Sequence, residues 1–138
     1  MIARELARAL RDSGLVWRPA SGDNFIIDRV EVDDEIFTLS DMTVEAHTFE
    51  TGTVLGFNGT TEWALDSVDL DDALWLPRED QLRTLLARAF VSLENGFAVT
   101  AVVRAVVAGE QRRFEAADAA DAYARALLAV LDDLATEP

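Results

Sequence analysis

The turns in this chain are too short for a parallel sheet. Glu50-Thr51-Gly52 separates the alternating segment Thr43 to Phe49 from Thr53 to Phe57. Ala108-Gly109 separates the apolar run Phe97 to Val107 from Gln111 to Phe114. Two or three residues close an antiparallel hairpin, whereas a parallel crossover needs about a dozen or more. The sheet structure is therefore expected to be mainly antiparallel. Asn24 to Ile27 and Glu35 to Leu39 add two strand segments, and Leu15-Val16-Trp17 is a short apolar run ended by Pro19.

Helical spacing brackets these strands. Ile2, Leu6, Ala9 and Leu10 share one face, and Ser13-Gly14 supplies a stop, giving a helix over 2–13. Pro77 opens a second helix, because a missing N–H costs nothing in the first turn. Glu79 and Asp80 then complement the helix dipole. Leu82, Leu85, Leu86, Ala89, Phe90 and Leu93 continue as one stripe up to Asn95-Gly96, so this helix is expected over 77–94. Ala120, Tyr123, Ala124, Leu127, Leu128, Leu131 and Leu134 form the stripe of a last helix over 117–134. Thr60 or Thr61 can cap a short helix through Trp63-Ala64-Leu65. An acidic connection from Asp66 to Asp72 then leads into Ala73-Leu74-Trp75-Leu76.

A helix with one apolar face must cover a sheet. The expected fold is α+β: a single two-layer domain over 1–138, with a mainly antiparallel sheet packed against two or three helices. Its parts are the helix 2–13, a β-rich acidic region 21–76, the helix 77–94, a β-hairpin 97–115 and the helix 117–134.

Charge and missing residue types narrow the function. The 138 residues carry 26 acids against 12 basic residues, a net charge of −14. Residues 21–80 hold sixteen acids and two arginines, while 1–20 sum to +2 and 81–138 to −2. Phosphate backbones are bound by clustered Lys and Arg, so direct nucleic-acid binding is not expected. There is no cysteine, which excludes thiolate metal sites, cysteine nucleophiles and disulfides. There is no lysine, which excludes a Schiff-base amine and a Walker-A lysine. His47 is the one histidine, so a two-histidine metal site cannot form within the chain. The longest apolar run falls far short of a bilayer span, and charge interrupts the first ten residues. A cytoplasmic protein without membrane contact is expected. Arginine without lysine, with abundant alanine, suggests a GC-rich bacterial genome.

No motif assembles catalytic, cofactor-binding or metal-ligating residues. Asp66, Asp69, Asp71 and Asp72 lack the order and the glycine of a calcium loop. His47 has Ser40, Asp41 and Glu45 near it only in sequence. Glu45 with Glu62, or Glu79 with Asp80, could serve as an acid–base pair only across a cleft that the sequence does not show. The aromatic residues say more. Trp17, Trp63 and Trp75 lie in or beside the acidic part, and tryptophan anchors cores or interfaces. Trp63 and Trp75, with Asp66, Asp69, Asp71 and Asp72, are therefore the expected interaction surface.

Three stretches carry a resemblance. They are Ser40-Asp41-Met42-Thr43-Val44-Glu45, then Gly56 to Ser67 (GFNGTTEWALDS), then Leu74-Trp75-Leu76-Pro77-Arg78-Glu79-Asp80-Gln81-Leu82. Together they resemble a family of short actinobacterial proteins often called pilus assembly proteins, and the similarity covers most of the chain. The resemblance implies an accessory of an assembly and carries over no catalytic residue. The ATPases sharing that name belong to a P-loop class, and this chain has neither the Gly-rich loop nor any lysine. The expected function is a non-catalytic protein-interaction module acting on a protein partner or on a second copy of itself. The alternatives are an acidic decoy or chaperone of DNA-mimic type for a basic partner, and a carboxylate-dependent enzyme.

Overall fold

The computed structural model describes residues 1–28, 36–39, 44–49, 52–57, 67–69 and 72–136, with 44–49, 52–57 and 67–69 as backbone. The chain is α+β, and every strand pairing among the described residues is antiparallel. The described strands form three three-stranded sheets. Contacts divide the chain into two compact units, Met1–Val16 with Pro77–Pro138, and Trp17–Leu76.

The first unit holds the helices α1 (Arg4–Asp12), α2 (Glu79–Leu86) and α3 (Ala119–Thr136). Its sheet has the order β7 (Phe90–Asn95), β8 (Ala101–Val107), β9 (Glu110–Ala116). Helix α3 packs on β8 and β9, and α1 and α2 pack on α3. The sequence explains this central place. Ala120, Ala122, Ala124 and Ala126 are all buried, and their small side chains let several neighbours approach one helix. Val103, Ala105 and Val107 of β8 are also buried, as are Leu10, Leu82 and Leu86. The opposite sheet face carries ion pairs beside Val102 and Val106: the Arg104 guanidinium lies 2.7 Å from Glu94, and that of Arg113 lies 2.9 Å from Glu115. Ala108 and Gly109 both take positive φ, the conformation a two-residue hairpin turn requires.

Asp118 fastens the starts of two helices. Its Oδ1 accepts the Ala120 N–H at 2.8 Å, capping α3, and its Oδ2 meets the Met1 ammonium at 2.7 Å. The next acid, Asp121, accepts the Ala3 N–H at 2.7 Å, at the entry to α1. The Met1 ammonium holds the Asp118 carboxyl below the usual carboxylate range, helped by the Ala120 N–H. Asp118 in turn raises the ammonium above its ordinary value. A depressed carboxyl stabilises the fold above its unfolded pKa and loses that contribution as pH falls. A raised ammonium stabilises below its unfolded pKa and loses that contribution as pH rises. Their joint contribution is therefore complete between about pH 4 and pH 8. Asp118→Ala should cost about 1 kcal/mol, mostly from the lost cap. Urea denaturation of wild type and variant should show the gap narrowing on both sides of that window. A gap independent of pH would contradict the assignment.

The second unit contains β1 (Asn24–Ile27), β2 (Ile36–Thr38) and β6 (Ala73–Leu76), in the order β2-β1-β6. Its other sheet has the order β3 (Val44–Phe49), β4 (Gly52–Phe57), β5 (Ser67–Asp69). The expected hairpin at Glu50-Thr51-Gly52 is the β3–β4 pair, with Phe49 opposite Gly52.

Several boundaries differ from the sequence expectation. The helix expected over 77–94 ends at Leu86, and a 3-10 turn at Ala87–Ala89 leads into β7. Ala87 takes φ 50°, which breaks the helix, and Phe90–Asn95 pairs with β8. The spacing of Ala89, Phe90 and Leu93 suits a helix, but β8 gains a hydrogen-bonded neighbour on this side only from Phe90–Asn95. Gly96 is thus a hairpin residue instead of a helix stop. A Cβ there would run into Thr100 Oγ1 and Glu115 Oε2. The hairpin expected over 97–115 begins at Ala101, because Phe97 to Thr100 turn the chain. Leu15-Val16-Trp17 is irregular, and Ser67–Asp69 is a strand where an acidic connection was expected. The short helix expected through Trp63-Ala64-Leu65 lies outside the described residues.

Candidate interaction surface

The Trp17–Leu76 unit is built on an aromatic row. The register sets Phe25 of β1 between Phe37 of β2 and Trp75 of β6. Paired residues in adjacent strands point to the same face, so these three rings form a ladder across the sheet. The Phe25 and Phe37 centroids are 5.5 Å apart. Trp17 lies against this ladder, 5.5 Å from Phe25 and stacked 6.5 Å from Trp75. Leu39 and Ala73 complete the cluster.

Trp17 reaches the ladder from an irregular segment, and a buried carboxylate holds it there. Asp23 is only 3% exposed. Its Oδ2 accepts the Trp17 Nε1–H at 2.9 Å and the Ala20 N–H at 3.0 Å. The Asp23 backbone also pairs with Leu39, whose N–H donates to the Asp23 carbonyl at 2.8 Å. One residue thereby ties the Trp17 loop to the entry of β1 and the exit of β2. Sequence reading missed it. An acid just before an apolar strand looks like an ordinary turn residue, and no spacing rule links it to Trp17.

Trp75 differs from Trp17. Its ring is half-buried, and among the described residues its buried Nε1 meets no hydrogen-bond acceptor. Of the other residues expected at the surface, Asp72 immediately precedes β6, and its carbonyl accepts the Asp28 N–H at 2.6 Å. Asp72 and Trp75 thus belong to one edge strand and its approach. Asp69 belongs to the other sheet, where the register places it in one row with Val54 and His47. Trp63, Asp66 and Asp71 lie outside the described residues.

The two units divide the charge very unequally. Trp17–Leu76 holds fourteen acids and two arginines, a net charge of −12. The remainder holds twelve acids and ten arginines, a net charge of −2. Among the described residues, no group of three or more His, Cys, Asp or Glu side chains could hold a metal ion. Among them, too, no helix is long and apolar enough to cross a membrane. Glu79 and Asp80 stand at the start of α2, where the Arg78 guanidinium holds the Asp80 carboxyl below its ordinary range. Comparison with family models, with curated proteins and with solved structures gave no match.

Proposed function

We propose that this protein is a non-catalytic interaction module whose Trp17–Leu76 unit docks a basic protein partner. The observation that carries this reading is the division of charge, −12 on a sixty-residue unit against −2 on the rest. A field of one sign steers and retains partners of the opposite sign, and it suppresses binding to nucleic acid. The half-buried Trp75 ring lies in the same unit and supports the choice of unit. The resemblance to short proteins called pilus assembly proteins fits an accessory role and assigns no residue a chemical task.

A fluorescent nona-arginine peptide serves as the probe, with anisotropy read across a salt series. Neutralising Asp66, Asp69, Asp71 and Asp72 to Asn should weaken binding by about tenfold at physiological salt. Neutralising four acids of the other unit, Asp12, Glu110, Asp132 and Asp133, removes the same charge and should change it by about twofold or less. Equal losses in the two variants would reduce the effect to net charge and refute a dedicated acidic unit.

A further inference from the structure

The sheet of the first unit has two unlike edges. Along β9, the outer strand presents Glu110, Arg112, Arg113 and Glu115. Charged side chains of this kind discourage pairing with another chain. Strand β7 forms the other edge, and its one charged residue, Glu94, is held by the Arg104 guanidinium at 2.7 Å on the face opposite Leu93. Among the described strands, it pairs only with β8.

The same asymmetry appears on the face that α3 covers. The register puts Leu93, Val103 and Phe114 in one row across β7, β8 and β9. Val103 is fully buried. At the β9 end the row is closed, because the Arg112 guanidinium lies 5.1 Å above the Phe114 ring. The start of β7 is closed likewise by Arg83, 4.3 Å above Phe90. At Leu93 none of the described residues closes it: Leu93 is 45% exposed and its neighbour Val91 43%. The next turn adds Phe97, 92% exposed. The apolar row of a packed sheet therefore runs out at a free hydrogen-bonding edge.

We propose that β7 is a homodimer interface, where it pairs antiparallel with β7 of a second copy about a two-fold axis at Leu93. The row Phe114–Val103–Leu93 then continues into its own equivalent, and two three-stranded sheets become one of six strands. Antiparallel pairing also carries each Phe97 to the start of the other copy's β7. The occupant is a second copy because the edge is self-complementary in side-chain type and belongs to the nearly neutral unit. Self-association through the other unit would set −12 against −12. This interface uses different residues from the acidic docking unit and stands or falls separately from it.

The absence of cysteine makes the test direct, since one introduced thiol reports one position. Opposed residues of an antiparallel pair have Cα atoms about 4.5–5.5 Å apart, within disulfide reach. Leu93→Cys should form a covalent dimer under mild oxidation. Val106→Cys, exposed on the opposite sheet face, should remain monomeric. In sedimentation, Leu93→Lys should weaken the wild-type dimer by more than about tenfold. A wild-type chain that stays monomeric at about 100 μM, a weak regime for a specific dimer, would overturn the proposal. So would a dimer that keeps its affinity in Leu93→Lys, or one in which Val106→Cys cross-links as readily as Leu93→Cys.

Discussion

Phe25→Ala should remove most of the stability of the Trp17–Leu76 unit. Phe25 is fully buried and stands at the centre of the ladder, touching Trp17 on one side and Phe37 on another. Truncating a buried phenylalanine costs about 3–5 kcal/mol, through lost transfer energy and the cavity left behind. A sixty-residue unit of ordinary stability has only about 3–9 kcal/mol in total. The expected result is a melting midpoint lower by at least about 15 °C, or a unit unfolded at room temperature. Tryptophan fluorescence is the appropriate measurement, because Trp17, Trp63 and Trp75 all fall within this unit. Leu134→Ala is the control: it truncates a large apolar side chain that is 57% exposed near the end of α3 and should shift stability by about 0.5 kcal/mol or less. Equal effects of the two substitutions would refute the aromatic row as the core of the unit.

Asp23→Ala should be nearly as damaging, for a different reason. The substitution removes an acceptor while leaving the Trp17 Nε1–H and the Ala20 N–H in place. Hydrogen bonds to a charged acceptor are worth about 1.5–3 kcal/mol each, and a buried donor left unpaired loses its water as well. A cost of about 3 kcal/mol is expected. Asp23→Asn keeps one oxygen acceptor and should cost about half as much. Trp17→Phe keeps an aromatic ring without the N–H. The double variant Asp23→Ala, Trp17→Phe should therefore lose less than the sum of the single variants, by at least about 1 kcal/mol. Strict additivity would show that the carboxylate does not act through Trp17.

The elements that announce themselves in this sequence are those with one period and a marked end. Ile2 to Leu10 and Ala120 to Leu134 carry helical stripes, and both ranges form helices, with ends shifted by one or two residues. Glu50-Thr51-Gly52 and Ala108-Gly109 mark turns between alternating strands, and both hairpins form. Strand β7 was hidden for a physical reason. Phe90 and Leu93 are spaced three apart, which suits a helix face as well as a bulged strand, and the structure has a register shift between Phe90 and Ser92. Only the demand of β8 for a neighbour decides between the two, and that demand is not local. Tryptophan as an anchor of a core was legible for Trp17 and Trp75, which belong to one aromatic cluster, while Trp63, Asp66 and Asp71 of the expected surface lie outside the described residues. Asp23 was not foreseen because its role depends on a chain reversal that brings Trp17 back to it. The exposed edge at Leu93 was hidden for the same reason as β7 itself, since an edge exists only once the sheet is assembled.

Amide and indole NMR resonances test most directly whether the acidic unit is the docking unit. On titration with nona-arginine at physiological salt, chemical-shift changes should be confined to residues 17–76. The Trp75 Nε1–H signal should move with them, while α1, α2, α3 and β7 to β9 stay in place. Shifts spread evenly over both units, with the Trp75 indole unmoved, would contradict it.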